Sequence, residues 1–242
     1  MKAELLQTIA VPSAFFGLWF LERRRGARAF VQVNQWAALG VGFFVTTAAV
    51  STAVNLFLQA TPLADHSLFT LRSLGLGAAP IAYVLVTLVS YWWHRAEHHF
   101  DALWRVTHQL HHSALRVDIA GAFFVHPAEV TAKTILLFVL CYGVLGVAPE
   151  AAIAVATVTT ALSIFEHWNV RTPRWLGFIV ARPEMHCLHH ERGNNRRNFG
   201  LPVWDMLFGT FENPSTVDVK VGYAPAASAR IVDMLRWRDV NR

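Results

Sequence analysis

Residues 91–128 read YWWHRAEHHFDALWRVTHQLHHSALRVDIAGAFFVHPA, and a second histidine cluster, HCLHH, follows at 186–190. Of the 12 histidines in the chain, only His66 lies outside residues 94–190. Neutral imidazole is a common ligand for transition metals. One ion of ordinary coordination takes about four to six ligands, so a crowd of this size points to two metals sharing one site. Spacing says more than number. His94 and His98 stand four residues apart, as do His108 and His112, and His186 and His190, which puts each pair on one face of a helix. His111 and His189 add a partner three residues on from His108 and His186, rotated about 100° from their neighbour. Adjacent histidines of each HxxHH can therefore address two ions lying side by side.

The surroundings place this cluster at a membrane. Hydrophobic residues make up 54% of the 242 and charged residues 15%, more apolar than an ordinary soluble enzyme. Leu74–Trp93 runs without a charge and is long enough to cross ~30 Å of hydrocarbon. Trp36–Ala60 is also charge-free. Leu5–Leu21 is shorter and interrupted by Pro12. Val130–Val147 and Ala151–Phe165 flank a turn at 146–150 and read as a helical hairpin, with Lys133 near the start of the first arm, where it can snorkel. The first apolar segment reads as a retained anchor, because its basic residues follow the apolar stretch and no small-residue cleavage site is evident. The expected fold is all-α: a multi-pass membrane bundle of four to five spans with a helical cytoplasmic cap holding a dimetal histidine site. Residues 1–73 form N-terminal spans. Residues 74–242 form the second unit, with membrane helices at 74–93 and 130–166 and a cap of 94–129 and 167–242.

Arginine sets the expected orientation. Arg23, Arg24, Arg25 and Arg28 lie between the first two spans, Arg95, Arg105 and Arg116 lie in the first histidine segment, and most others follow the hairpin. The opposite loops hold little beyond Lys2 and Arg72. The positive-inside rule then turns the histidine segments and the C-terminus to the cytoplasm. The net charge of +5 is accounted for by topology and anionic headgroups. No basic stripe with interleaved aromatics stands apart from that pattern, so nucleic acid is not an expected partner. The preference for arginine suggests a GC-rich bacterial genome and hence an inner membrane. Cys141 and Cys187 fall in different compartments of this topology, so no disulfide is expected. Cys187 occupies a spacer position in HCLHH.

The string YWWHRAEHH, LWRVTHQLHHS, HPAE, EHWN, HCLHH and NFGLPVWDMLFGTF, in that order, resembles the fatty acid hydroxylase/sterol desaturase superfamily of integral-membrane di-iron oxygenases. The resemblance runs from about Tyr91 to Phe211 and says nothing of residues 1–73. It implies metal ligands at His94 and His98, at His108, His111 and His112, and at His186, His189 and His190. His126 and His167 match further family histidines that complete the shell or lie next to it. Arg171 stands where some members carry another histidine, so the shell is one ligand poorer or completed otherwise. His99 and His66 match no ligand. Glu97, Asp101, Glu129 and Glu166 adjoin histidines and could accept the second ring N–H. Glu129 and Asp205 belong to matched motifs, and Asn169 and Asn198 are expected to orient ligands or backbone. Trp92, Trp93, Trp104 and Trp168 read as interfacial anchors.

The resemblance further implies two iron ions, with zinc as an inactive substitute, and oxygen-dependent hydroxylation or desaturation of an unactivated C–H position in a membrane lipid. An acyl lipid, a sterol or polycycle, and a carotenoid all meet that description. The electrons must come from an external ferredoxin, cytochrome or reductase, since the chain has no motif for a fused haem domain or nucleotide site. Two other readings remain open from the residues alone: a zinc-dependent membrane hydrolase and a histidine-rich metal-binding membrane protein.

Overall fold

The computed structural model describes residues 2–64 and 66–240. Among them the architecture is helical, with one isolated bridge, Glu191 to Val221, and no strand. The long helices are α1 (Lys2–Arg25), α2 (Trp36–Gln59), α3 (Ala79–His99), α5 (Pro127–Phe138, prolonged by Val139–Val144) and α6 (Pro149–His167). Shorter pieces close over one end of this bundle: α4 (101–112), α7 (Pro183–His189), α8 (Pro202–Phe208), α9 (Pro225–Ser228) and α10 (Ile231–Leu235).

Three stretches are long and apolar enough to cross a membrane: Trp36–Gln59, Arg72–His99 and Pro127–Val144. The other two long helices form but are less apolar. Helix α6 carries three threonines and a glutamate near each end, and α1 holds Pro12 and a basic last turn. The hydroxyls of Thr157 and Thr159 donate to carbonyls of their own helix, which makes them tolerable in an apolar setting.

The apolar stretch Arg72–His99 differs from expectation at both ends. Gly75 adopts φ 50°, a non-helical conformation that kinks residues 72–78 into two short 3₁₀ pieces. The α-helix opens only at Ala79, with Pro80 in its first turn. At the other end it continues to His99, so His94 and His98 sit in the last two turns of a membrane helix and not in a separate cap segment.

Small residues let the helices approach. Ala82 and Val86 of α3 pack on Ala151, Ala152 and Val155 of α6 and on Cys141 and Leu145 after α5. Helix α2 lies along α5, and α1 along α6. Gly40 of α2 is a forced choice, because a Cβ there would stand 2.7 Å from the Ala120 carbonyl oxygen. Beyond α5 the chain widens into a π-turn, leaving carbonyls without intrahelical partners. Leu68 and Phe69 donate to Gly143 and Val144 at 3.0 and 2.8 Å, supplying what water cannot supply in hydrocarbon. Gly146 turns there at φ 56°, and a Cβ would collide with the Ser67 hydroxyl.

Glu22, near the end of α1, ties the bundle to its closed end. Its buried carboxylate accepts from Asn169 N–H at 2.8 Å and Ile119 N–H at 3.1 Å. Glu22→Ala leaves both donors buried and unpaired, which costs about 2–4 kcal/mol. A fall in the thermal midpoint of the detergent-solubilised protein is the expected result.

Candidate metal centre

The histidines divide into two groups at the ends of α3, α4, α6 and α7. One donor atom from each of His94, His98, His108, His112 and His189 lies within 4.8 Å of all the others. The same holds for His111, His167, His186 and His190. The groups adjoin: the rings of His112 and His190 stack at 4.2 Å, and those of His111 and His190 meet edge to face at 4.6 Å. Each pair four residues apart stays within one group, while the third histidine of each HxxHH joins the other group. Helical rotation thus sorts the histidines between two points.

The hydrogen bonds of the rings decide which nitrogen faces inward. Nδ1–H donates to the Phe199 carbonyl from His94 (2.6 Å), to Glu129 from His108 (3.0 Å), to the Ser163 carbonyl from His167 (2.7 Å) and to the Arg197 carbonyl from His189 (2.7 Å). Their Nε2 atoms therefore carry lone pairs. Yet the Nε2 atoms of His94 and His108 stand 2.9 Å apart, those of His112 and His189 3.0 Å, and those of His167 and His186 3.1 Å. For His94 and His108 this sets lone pair against lone pair, which no hydrogen bond can satisfy. Two nitrogens bound at right angles to one ion, each at about 2.1 Å, are about 3.0 Å apart. Both ring nitrogens of His98 and Nδ1 of His190 are also buried with no hydrogen bond of ordinary geometry. These residues fit a cation at each group.

Glu129 receives His108 directly, and Glu97 lies 3.8 Å from the same nitrogen. Glu166 lies 3.9 Å from His186 Nδ1. Asp205 acts one step further out. It accepts from Phe199 N–H (2.8 Å), Gly200 N–H (3.2 Å) and the Thr210 hydroxyl (2.7 Å), fixing the loop whose carbonyl receives His94. Asn169 grips the backbone of Arg28 through both amide atoms. Asn198, at φ 54°, joins Met185 of α7 to Glu212. Both asparagines hold backbone and touch no imidazole of either group by hydrogen bond.

His126 departs from the ligand role that the resemblance implies. Its Nδ1 accepts from Ala128 N–H as the cap of α5, and its Nε2 faces the Leu235 carbonyl, so both ring nitrogens are spent on backbone. His99 is exposed against Phe100, and His66 is exposed in the loop before α3. Lys133 also departs from expectation. It turns inward to Glu129 at 2.5 Å instead of snorkelling. Cys187 packs with Val117 and Val221, and burial pushes its thiol up to about 11, which keeps it protonated. No sequence signal marks the carbonyls of Phe124, Ser163, Arg197 and Phe199 as imidazole acceptors. Nor does one mark the π-wound Trp104–His108, where Gln109 N–H reaches back to Trp104.

The family model for fatty acid hydroxylase matches residues 79–210, more than half of the chain. The chain belongs to the fatty acid hydroxylase family. It is similar to ornithine lipid hydroxylase OlsE of Rhizobium tropici, 31% identical over 150 residues that cover 58% of this chain and 44% of that protein. Sphinganine C4-monooxygenase 1 of Arabidopsis thaliana is 25% identical over 135 residues, 54% of this chain and 52% of that protein. Alkylglycerol monooxygenase of Homo sapiens is 28% identical over 141 residues, 54% of this chain and 30% of that protein. The chain thus spans about half the length of the first two relatives and less of the third. No solved structure matches it.

Burial, then repulsion between neighbouring rings, holds His108, His111, His112, His186 and His190 well below the usual imidazole range, and burial brings His189 to about 4. The unfolded chain binds these protons below about pH 6.5 and the fold does not, so acid favours unfolding of the metal-free protein. His189 is one of the rings through which that stability is lost as the pH falls below about 6.5. The thermal midpoint of metal-free protein is expected to fall between pH 7.5 and 5.5, and saturating metal is expected to reduce that fall.

Proposed function

We propose that this chain is a membrane di-iron oxygenase that hydroxylates or desaturates an unactivated C–H position of a lipid. The observation that carries the reading is the pair of adjoining imidazole groups, five and four strong, at the closed end of an apolar bundle. A zinc hydrolase is satisfied by three protein ligands and a water in a tetrahedral shell. Five imidazoles on one point exceed that and suit an ion of six coordination with a position left for a small molecule. A transporter would place its ligands at mid-membrane, whereas these lie at helix ends.

In this reading His94, His98, His108, His112 and His189 hold one ion, and His111, His167, His186 and His190 the other. Those residues would hold iron, which would supply the oxygen chemistry needed to take hydrogen from an alkyl chain, beyond the reach of any protein acid or base. The chain's own work is positional. Backbone carbonyls and Glu129 fix His94, His108, His111, His167 and His189 in the tautomer that offers Nε2, and Asp205 fixes the loop that holds His94. The segments 101–126 and 168–240 cover the histidines and keep water away. A cavity of about 450 Å³ runs from His94, Glu129 and Phe199 down between α2, α3, α5 and α6, giving a lipid a path from the bilayer to the site. The relatives' names, which speak of ornithine lipid, sphinganine and alkylglycerol, support a lipid substrate. Residues 74–242 carry the activity, residues 1–73 anchor it, and α1 and α6 join the three apolar stretches as spans. An external one-electron carrier supplies the two electrons of each turnover, and the arginine-rich face attracts an acidic one.

Anaerobically purified protein is expected to hold two metal ions per chain, read by elemental analysis and anomalous scattering at the iron and zinc edges. One ion per chain would sink the dinuclear reading. In whole cells, His111→Ala and His189→Ala should reduce lipid conversion at least about 100-fold while expression holds, since outer partners alone cost 10–100-fold. His66→Ala and His99→Ala should leave it within about twofold. Lipid mass shifts of +16 or −2 between deletion and complemented cells supply the assay.

The histidine face is assigned to the cytoplasm by its arginines. Single cysteines placed beside Arg116 and Arg196 should resist an impermeant thiol reagent in intact cells and react after lysis. Labelling from outside would reverse the topology.

A further inference from the structure

The cavity below the histidines is not lined as a plain hydrocarbon channel would be. Lys133 of α5 faces it from inside an apolar span, and Ser90 of α3 with Thr160 and Ser163 of α6 line the same space. An ionisable side chain within a membrane span is expensive and marks a functional site by default. Lys133 gives one N–H to Glu129, whose oxygen also receives His108. An ammonium has three donors, and the side chain remains 47% exposed although α5 is packed against α2, so two donors are left for the cavity. On α2, the hydroxyl of Thr47 lines the cavity too and is buried with no partner.

A purely apolar ligand filling this space would strip water from these groups and return nothing. A ligand carrying acceptor oxygens would satisfy them. We propose that the cavity binds the oxygen-bearing part of a lipid, a carboxylate or an amide or ester carbonyl, with Lys133 as its anchor. This deepens the lipid oxygenase reading and rests on it for the identity of the site above.

The helical register sets the distance from that anchor to the chemistry. Lys133 lies one turn beyond Glu129, Ser163 about one turn before His167, and Ser90 one turn before His94. At 5.4 Å per turn the anchored oxygen sits about 5–10 Å from the imidazole groups. The carbon attacked is therefore a few bonds from the polar group and not near the far end of an acyl chain. Lys133 is a specificity-determining residue, acting on which lipid binds and where along it the reactive position falls.

The test uses the full chain loaded with zinc, so that binding is read without turnover. Native mass spectrometry of protein released from micelles counts bound metal and bound lipid together. The probes are N-palmitoylglycine, its methyl ester and hexadecane. Wild type is expected to bind N-palmitoylglycine about tenfold or more tighter than hexadecane. Lys133→Met should erase most of that difference. Thr160→Val, which keeps shape and removes no hydrogen bond to Glu129 or a histidine, should weaken the polar probe several-fold and leave hexadecane unchanged. Equal binding of acid and methyl ester assigns the contact to the carbonyl, and preference for the acid assigns it to the carboxylate. Equal affinity for hexadecane in wild type, or unchanged affinities in both variants, overturns the proposal. Loss of the two-metal count in wild type with the lipid preference intact would instead overturn the oxygenase reading.

Discussion

Nine imidazoles crowded into a dry interior is the constraint on which the rest of this molecule turns. Each ring must stay neutral, since neighbouring positive rings would repel at contact distance, and each must still find a partner for its N–H. Backbone carbonyls at Phe124, Ser163, Arg197 and Phe199, with the carboxylate of Glu129, take five of those protons. That choice forces Nε2 inward on each of those rings. For His94 and His108 the inward nitrogens then face one another at about a hydrogen-bond length without the hydrogen, an arrangement that a cation between them would satisfy.

The long helices lower the entropy cost of such an arrangement. His94, His98 and His167 are the last turns of long helices, so their backbones are fixed by packing far from the site. His108, His111 and His112 ride on α4, and His186, His189 and His190 on and just after α7, both pieces too short to be stable alone. They are held by side chains that reach across the chain: Asn198 to Met185, Glu184 to Thr172, Gln109 to Arg238, and Tyr223 to the Gln109 carbonyl. The buried Arg182 adds an ion pair with Glu184 and bonds to Thr172, Asn213 and Pro214. Long helices thus supply three of the imidazoles, and a polar network positions the other six.

The same economy explains where sequence reasoning failed. His126 sits in a family motif, but its side chain caps α5, a role set by the φ and ψ of the residue before Pro127. Lys133 lies near the start of an apolar helix, where snorkelling is the ordinary outcome. Which way it turns depends on Glu129 one turn earlier and on a void between four helices, and neither is written in local composition. The Leu74 boundary failed because apolar length says where hydrocarbon begins and not where the backbone becomes helical. Gly75 decided that through its positive φ.

By itself the sequence determined the helical periodicity, the apolar spans and the sorting of histidines, because a four-residue step keeps two side chains on one face and a three-residue step moves the next aside. His111 and His189 part from His108 and His186 for that reason alone. Only the tertiary structure decided which carbonyl fixes each ring, that Asp205 acts through the Phe199 loop, that Asn169 and Asn198 grip backbone, and that a lysine lines a polar cavity within the span. Those facts rest on contacts between residues far apart in the chain. Their physical cause is the need to pair every buried donor where water is absent, and only the assembled bundle shows which partner is within reach.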